Sequence, residues 1–205
     1  MAVVGILIFD EVDLIDAGGP YEVFLTASRL AARAAEPEPF EVVTISPTGE
    51  PVEAYGGLRL APHRAAAEVE RLDVLLVPGA VAIDRVRAQA PLREALGRLA
   101  PRSGLVVSVC TGAFLVADLG LLDGRRWTTH WEDVEELSGR LGADGATRGA
   151  RWVDEGDVVT SGGLSSGIAG ALHVVDRLAG RRSALATARQ LDYDWDPAGA
   201  GAVTG

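Results

Sequence analysis

Leu105-Val106-Val107-Ser108-Val109-Cys110-Thr111-Gly112-Ala113-Phe114 is the stretch that decides the fold. Leu105 to Val109 is nearly continuous apolar sequence without in–out alternation, which predicts a strand buried on both faces. A helical pattern from Thr111 to Leu119 follows without a spacer, so Cys110 falls on the junction. A strand that runs straight into a helix needs a sharp, strained turn, and such a turn lifts one side chain above the strand ends. Open α/β sheets bind their ligands at that edge. Amides at the helix start, that of Thr111 among them, would face the sulfur, favour its thiolate and stabilise an anion formed on a substrate. Against this stands the plainer reading of a lone Cys as a small buried hydrophobe.

Working outward, Val3 to Phe9 and Asp73 to Val77 read as further buried strands, the second ended by Pro78-Gly79, and Phe40 to Ile45 as another. Short strands are expected near Val52 and Leu58. Gly18, Gly19 and Pro20 break the chain, and Pro20 opens a helix that runs to about Arg33. Pro91 to Leu99 has helical spacing, and Trp127 to Trp131 reads as a strand entering a helix that ends near Gly142. Arg148 to Val153 and Val158 to Ser161 form a hairpin turning at Glu155-Gly156, with helices over Ile168 to Leu178 and Ser183 to Leu191 behind it. Strands alternating with helices predict an α/β fold, a flavodoxin-like three-layer sandwich whose mostly parallel sheet carries helices on both faces. One domain over residues 1–196 is expected, followed by a small, Gly-rich, mobile tail over 197–205.

Composition excludes several functions. With 48% hydrophobic residues the chain can bury a core. A formal charge of −10 argues against nucleic-acid and anionic-membrane partners, both of which need Lys and Arg. No apolar run is long enough to span a bilayer, and the start, MAVVGILIFDEVDLID, lacks the basic region of a signal peptide. The single Cys allows no internal disulfide and fits the reducing cytoplasm. Together with three scattered histidines it does not spell a metal site.

A second candidate segment is Val12-Asp13-Leu14-Ile15-Asp16-Ala17-Gly18-Gly19-Pro20. It follows the first strand and so lies at the same sheet edge as Cys110. A carboxyl group beside a thiol in a poorly solvated pocket has a raised pKa and can trade protons with a substrate. The bland alternative is that Asp16 merely caps the next helix or satisfies loop amides.

These residues resemble the DJ-1/PfpI superfamily. LIDAGGPYEVF with Asp16, Pro78-Gly79 after a strand, SVCTGAFLVADLGLLDGRRWTTHW and TSGGLSSGI occur in the order found there, and the likeness runs from the first strand to about Leu178. The branch resembled holds isonitrile hydratase and the amidase-like domains of AraC-type regulators. The resemblance implies Cys110 as nucleophile, Asp16 as its acid/base partner and Thr111 as the residue shaping the nucleophile's pocket. It implies a turn at Gly79 and Ala80, with Gly163 and Leu164, lining the substrate or oxyanion site, no cofactor, a small-molecule substrate and a homodimer. Ala80 stands where relatives often have a second Gly, and Ala169 where hydratases often carry an acid.

Gly163-Leu164-Ser165-Ser166-Gly167 also matches G-x-S-x-G, but the only later histidine, His173, lies in the next helix, and no acid precedes it to complete a hydrolase order. His130 is expected to be a hydrogen-bonded structural residue, the four tryptophans to be packing or interface residues, and Glu132-Asp133 and Glu135-Glu136 to be a solvated face. The reading is an isonitrile hydratase-like lyase; its rivals are a metabolite or redox sensor on the same fold and a glyoxalase-like electrophile scavenger.

Overall fold

The structure is a computed structural model that describes residues 1–197; the expected mobile tail lies, but for Pro197, outside the described residues. Its strands are β1 (Ala2–Leu7), β2 (Phe40–Ser46), β3 (Val52–Glu53), β4 (Arg59–Leu60), β5 (Arg64–Ala65), β6 (Leu72–Val77), β7 (Ser103–Val109), β8 (Trp152–Asp154) and β9 (Val158–Ser161). Its helices are α1 (Leu14–Arg33), α2 (Ile83–Arg87), α3 (Ala90–Leu99), α4 (Gly112–Ala117), α5 (Val134–Leu141), α6 (Ser166–Ala179) and α7 (Arg181–Gln190).

The described residues form a seven-stranded sheet in the order β5-β2-β1-β6-β7-β9-β8, parallel throughout except for β8, which joins β9 as an antiparallel hairpin. Strands β3 and β4 pair in a separate antiparallel ribbon. Helices α1, α6 and α7 pack on one another, and α2 packs on α3 and α4. This is the expected α/β sandwich. The continuous apolar runs explain it, since Val74 to Val77 and Leu105 to Val109 are buried along their whole length.

Phe24 of α1 is fully buried edge-to-face on Phe40 of β2, with ring centroids 5.1 Å apart. Truncation there leaves a cavity at the helix–sheet seam. Phe24→Ala is expected to lower the unfolding free energy by roughly 3–5 kcal/mol, read from the urea midpoint at unchanged slope. A loss under about 1 kcal/mol would show that the seam collapses around the gap.

Three elements differ from expectation. The first hairpin strand, expected over Arg148 to Val153, is only β8, Trp152–Asp154. Gly18, Gly19 and Pro20 do not break the chain; they lie inside α1, which starts six residues earlier, at Leu14. Asp13 sets that start, its side chain accepting from the Ile15 amide at 3.3 Å. Gly19 lets the helix run close to its neighbour, since a Cβ there would lie 3.0 Å from Ile168 in α6, whereas one on Gly18 would meet nothing within 4 Å. Trp127 to Trp131 is not a strand. Trp127 makes one isolated bridge to Ala146, and a 3-10 turn over Trp131–Asp133 leads into α5. The fully buried indole, not a ladder, fixes that segment.

Candidate active site

Cys110 lies one residue past β7 and two before α4, with φ of 57°. Left-handed backbone is strained for a residue with a Cβ, and here neighbouring groups hold it. The Cys110 N–H donates to the carbonyls of Ser161 (3.2 Å), the last residue of β9, and Gly162 (3.1 Å) just after it. Its carbonyl accepts from the Thr129 hydroxyl at 2.8 Å. The next amide chain needs room: a Cβ on Gly112 would sit 2.3 Å from the Val77 carbonyl oxygen. Sequence therefore places a glycine where β6 and the start of α4 touch.

Asp16 occupies the third position of α1 and is wholly buried, 0% exposed. Asp13, not Asp16, is the cap. The Asp16 carboxylate instead accepts from two remote amides, Gly79 N–H to Oδ2 and Leu164 N–H to Oδ1, each at 3.2 Å. The Cys110 thiol lies close enough for the two groups to act on each other's ionisation. Burial, with help from the Asp13 charge, pushes its pKa up to about 7, although the thiol and both amides pull it down. The sequence expectation brings Asp16 and Cys110 together, and the structure does so too.

The thiolate expectation is corrected. Cys110 is only 8% exposed, and burial followed by the Asp16 charge drives its thiol well above the usual range. The Thr111 amide opposes this and loses. Helix α4 has only six residues, too few for a strong dipole against that desolvation. The resting pair is thus a neutral thiol beside an acid whose pKa burial pushes up to about 7.

Thr111 is buried, and its hydroxyl both donates to the Ala80 carbonyl (2.8 Å) and accepts from the Ala80 N–H (2.9 Å). This clamp ties the turn after β6 to the turn after β7. Gly79 is required beside it, because a Cβ there would lie 2.6 Å from the Thr111 hydroxyl and 2.9 Å from Asp16 Oδ2. The amides of Gly79 and Leu164 are both given to Asp16, and that of Ala80 to Thr111. Leu164 adopts φ of 52° to present its amide, and Gly163 lies against the His130 ring.

One wall away from this centre, with neither Cys110 nor Asp16 in its lining, lies a cleft of about 680 Å³. Thr129, Gly162 and Leu164, all bonded to Cys110 or Asp16, belong to its wall. His130 and Trp131 line it as well. His130 is held by Asp133 at 3.2 Å, as expected of a structural imidazole. Trp127, Trp152 and Trp195 are buried packing residues, whereas Trp131 is 76% exposed. Sequence reading missed Thr129 and the cleft arginines; the paired threonines before His130, in an otherwise apolar segment, were the available signal for the first. Ser165 of the G-x-S-x-G run is exposed, precedes α6 without a side-chain cap bond, and has no histidine partner among the described residues.

Fold and site together define a cysteine-centred α/β protein in which a buried acid partners the thiol at the carboxyl edge of a parallel sheet. Residues 2–177 match the DJ-1/PfpI family, and the chain belongs to it. It is 32% identical over 190 residues to isonitrile hydratase of Pseudomonas putida, covering 93% of this chain and 78% of that protein. It is 28% identical over 193 residues to the HTH-type transcriptional regulator GbdR of Pseudomonas aeruginosa, covering 93% of this chain and 50% of the regulator. Among solved structures it superposes on a ThiJ/PfpI family protein of Pseudomonas syringae with TM-score 0.80 and 23% identity, over 96% of this chain and 76% of that one.

Proposed function

We propose that the protein is an isonitrile hydratase-like enzyme in which Cys110 is the nucleophile and Asp16 the acid/base. The feature that carries this reading is the buried pair: a soft sulfur beside a carboxyl group that burial pushes up to about 7, a value suited to proton transfer. The 32% identity to isonitrile hydratase supports the same chemistry.

Asp16 takes the thiol proton as the sulfur attacks the terminal isonitrile carbon. An S–C bond forms, and Asp16 returns the proton to that carbon, leaving a thioimidate. Water then adds to the same carbon and gives a proton to Asp16. Asp16 passes that proton to the substrate nitrogen, the C–S bond breaks with its electron pair on sulfur, and the hydroxyl on the same carbon gives its proton to the sulfur as the carbonyl forms, releasing an N-substituted formamide and restoring the thiol and the carboxylate. The amides of Gly79 and Leu164 hold the carboxyl group in place, and the Thr111–Ala80 clamp holds the turn that carries Gly79. The reading includes a homodimeric, cytoplasmic enzyme without a cofactor.

Purified protein given alkyl and aryl isonitriles is expected to yield formamides, detected by the formyl proton in NMR. In heavy water the formyl carbon should carry deuterium. No formamide across the panel would sink the reading. The likeness to GbdR supports a second one, a metabolite sensor, which would bind a ligand without turning it over.

A further inference from the structure

The cleft beside the pair carries charge of one sign where the chain as a whole carries the other. The chain has 29 acidic and 19 basic residues, yet Arg148 and Arg151 both line this cleft. Arg148 closes on Glu135 at 2.5 Å. Arg151 has no carboxylate partner among the described residues. One of its donors, Nη1–H, goes to the Tyr193 hydroxyl at 2.8 Å, and its guanidinium carbon lies 6.0 Å from the centre of the Tyr193 ring. Tyr193 in turn donates to the Ser165 carbonyl at 3.0 Å, across the cleft rim. A guanidinium has five N–H donors, so this brace leaves most of a pre-oriented fork unused. Holding a cation half-buried without an anion is unfavourable unless something else supplies the charge. Trp131, largely exposed, and Val134 also line the cleft and give it an apolar wall.

We propose that this cleft selects a small substrate with a carboxylate group on an apolar body. Arg151 takes the carboxylate as a bidentate partner, and Trp131 with Val134 covers the body. The reactive end then lies towards Thr129, Gly162 and Leu164, the wall residues bonded to Cys110 and Asp16. For turnover, this rests on the hydratase reading; for binding, it does not.

The test compares 4-isocyanobenzoate with 4-isocyanobenzamide, which has the same shape without the charge. Wild type should favour the acid by about tenfold or more in kcat/KM, the size expected of one charge-assisted fork. Arg151→Gln should bring the ratio near one, and Arg151→Lys should retain part of the preference. A second arm uses isothermal titration with the corresponding formamides, 4-formamidobenzoate and 4-formamidobenzamide. An Arg151-dependent preference for the acid without any turnover supports the carboxylate site while removing the hydratase reading. A ratio of one or below in the wild type, in turnover or in binding, overturns the proposal, and so does a preference that survives in Arg151→Gln.

Discussion

In the Asp16→Asn protein, formamide production should fall by roughly three orders of magnitude or more, the upper part of the range for a positioned general acid/base, and in Cys110→Ala it should disappear. Both losses follow from one proton route. Asn can neither take the thiol proton nor return it, and the thiol, pushed up by burial, does not ionise unaided near neutrality. In the wild type, kcat/KM should rise as pH climbs through about 7, since the pair must start with Asp16 as carboxylate to accept that proton.

Stability moves the other way, which separates the route from a merely structural role. Asp16 has a folded pKa of about 7 against an ordinary value of 3.8, so the unfolded chain ionises first. Stability linked to Asp16 is therefore fully present below about pH 4 and is lost as pH rises through 7. Asn does not titrate. Relative to Asp16→Asn, the wild type should lose on the order of 4 kcal/mol between pH 4 and pH 8, whatever offset the lost amide contacts add. A stability difference that stays flat with pH would mean that Asp16 is ionised throughout. A pH-independent kcat/KM would remove it from the chemistry.

Gly112→Ala should destabilise the fold by about 3 kcal/mol, the upper end for overpacking, and lower Tm by about 10 °C. Most steric insertions into a core are absorbed by a side chain that turns away. Here the added methyl meets backbone, 2.3 Å from the Val77 carbonyl oxygen and 2.9 Å from the Pro78 carbonyl. Relief requires the end of β6 to part from the start of α4, which also carries Gly79 away from Asp16. Gly18→Ala provides the contrast. No atom lies within 4 Å of its added methyl, and in a helix interior the change should stabilise by up to about 1 kcal/mol. Equal stability of the Gly112→Ala protein and the wild type, from thermal unfolding, would refute the close approach.

How much could be read without coordinates depended on how local the signal was. Leu105 to Val109 followed by Cys110 and a helical pattern carries its own fold information, because burial on both faces leaves an uninterrupted apolar run. The Asp16–Cys110 meeting was legible for a similar reason: both residues follow parallel strands, and parallel strands end at one edge. The start of α1 was not. Gly-Gly-Pro outweighs Asp13 in a local reading, and only packing against α6 makes Gly19 an asset. Nor does local sequence reveal that burial defeats the amides around Cys110, since desolvation is a sum over distant neighbours. Arg151 was silent for the same reason: what distinguishes it is Tyr193, forty-two residues away.

The left-handed backbone of Cys110 has a consequence for what keeps a cysteine there. A residue with a Cβ in that conformation costs about 1–2 kcal/mol that glycine would not. Folding by itself thus favours replacing the sulfur. The thiol sits at this corner in spite of the scaffold, and a copy relieved of its chemical duty could shed it and become sturdier. An inert descendant of this architecture would therefore be easy to reach from a reactive one, by a change that asks nothing of the rest of the molecule.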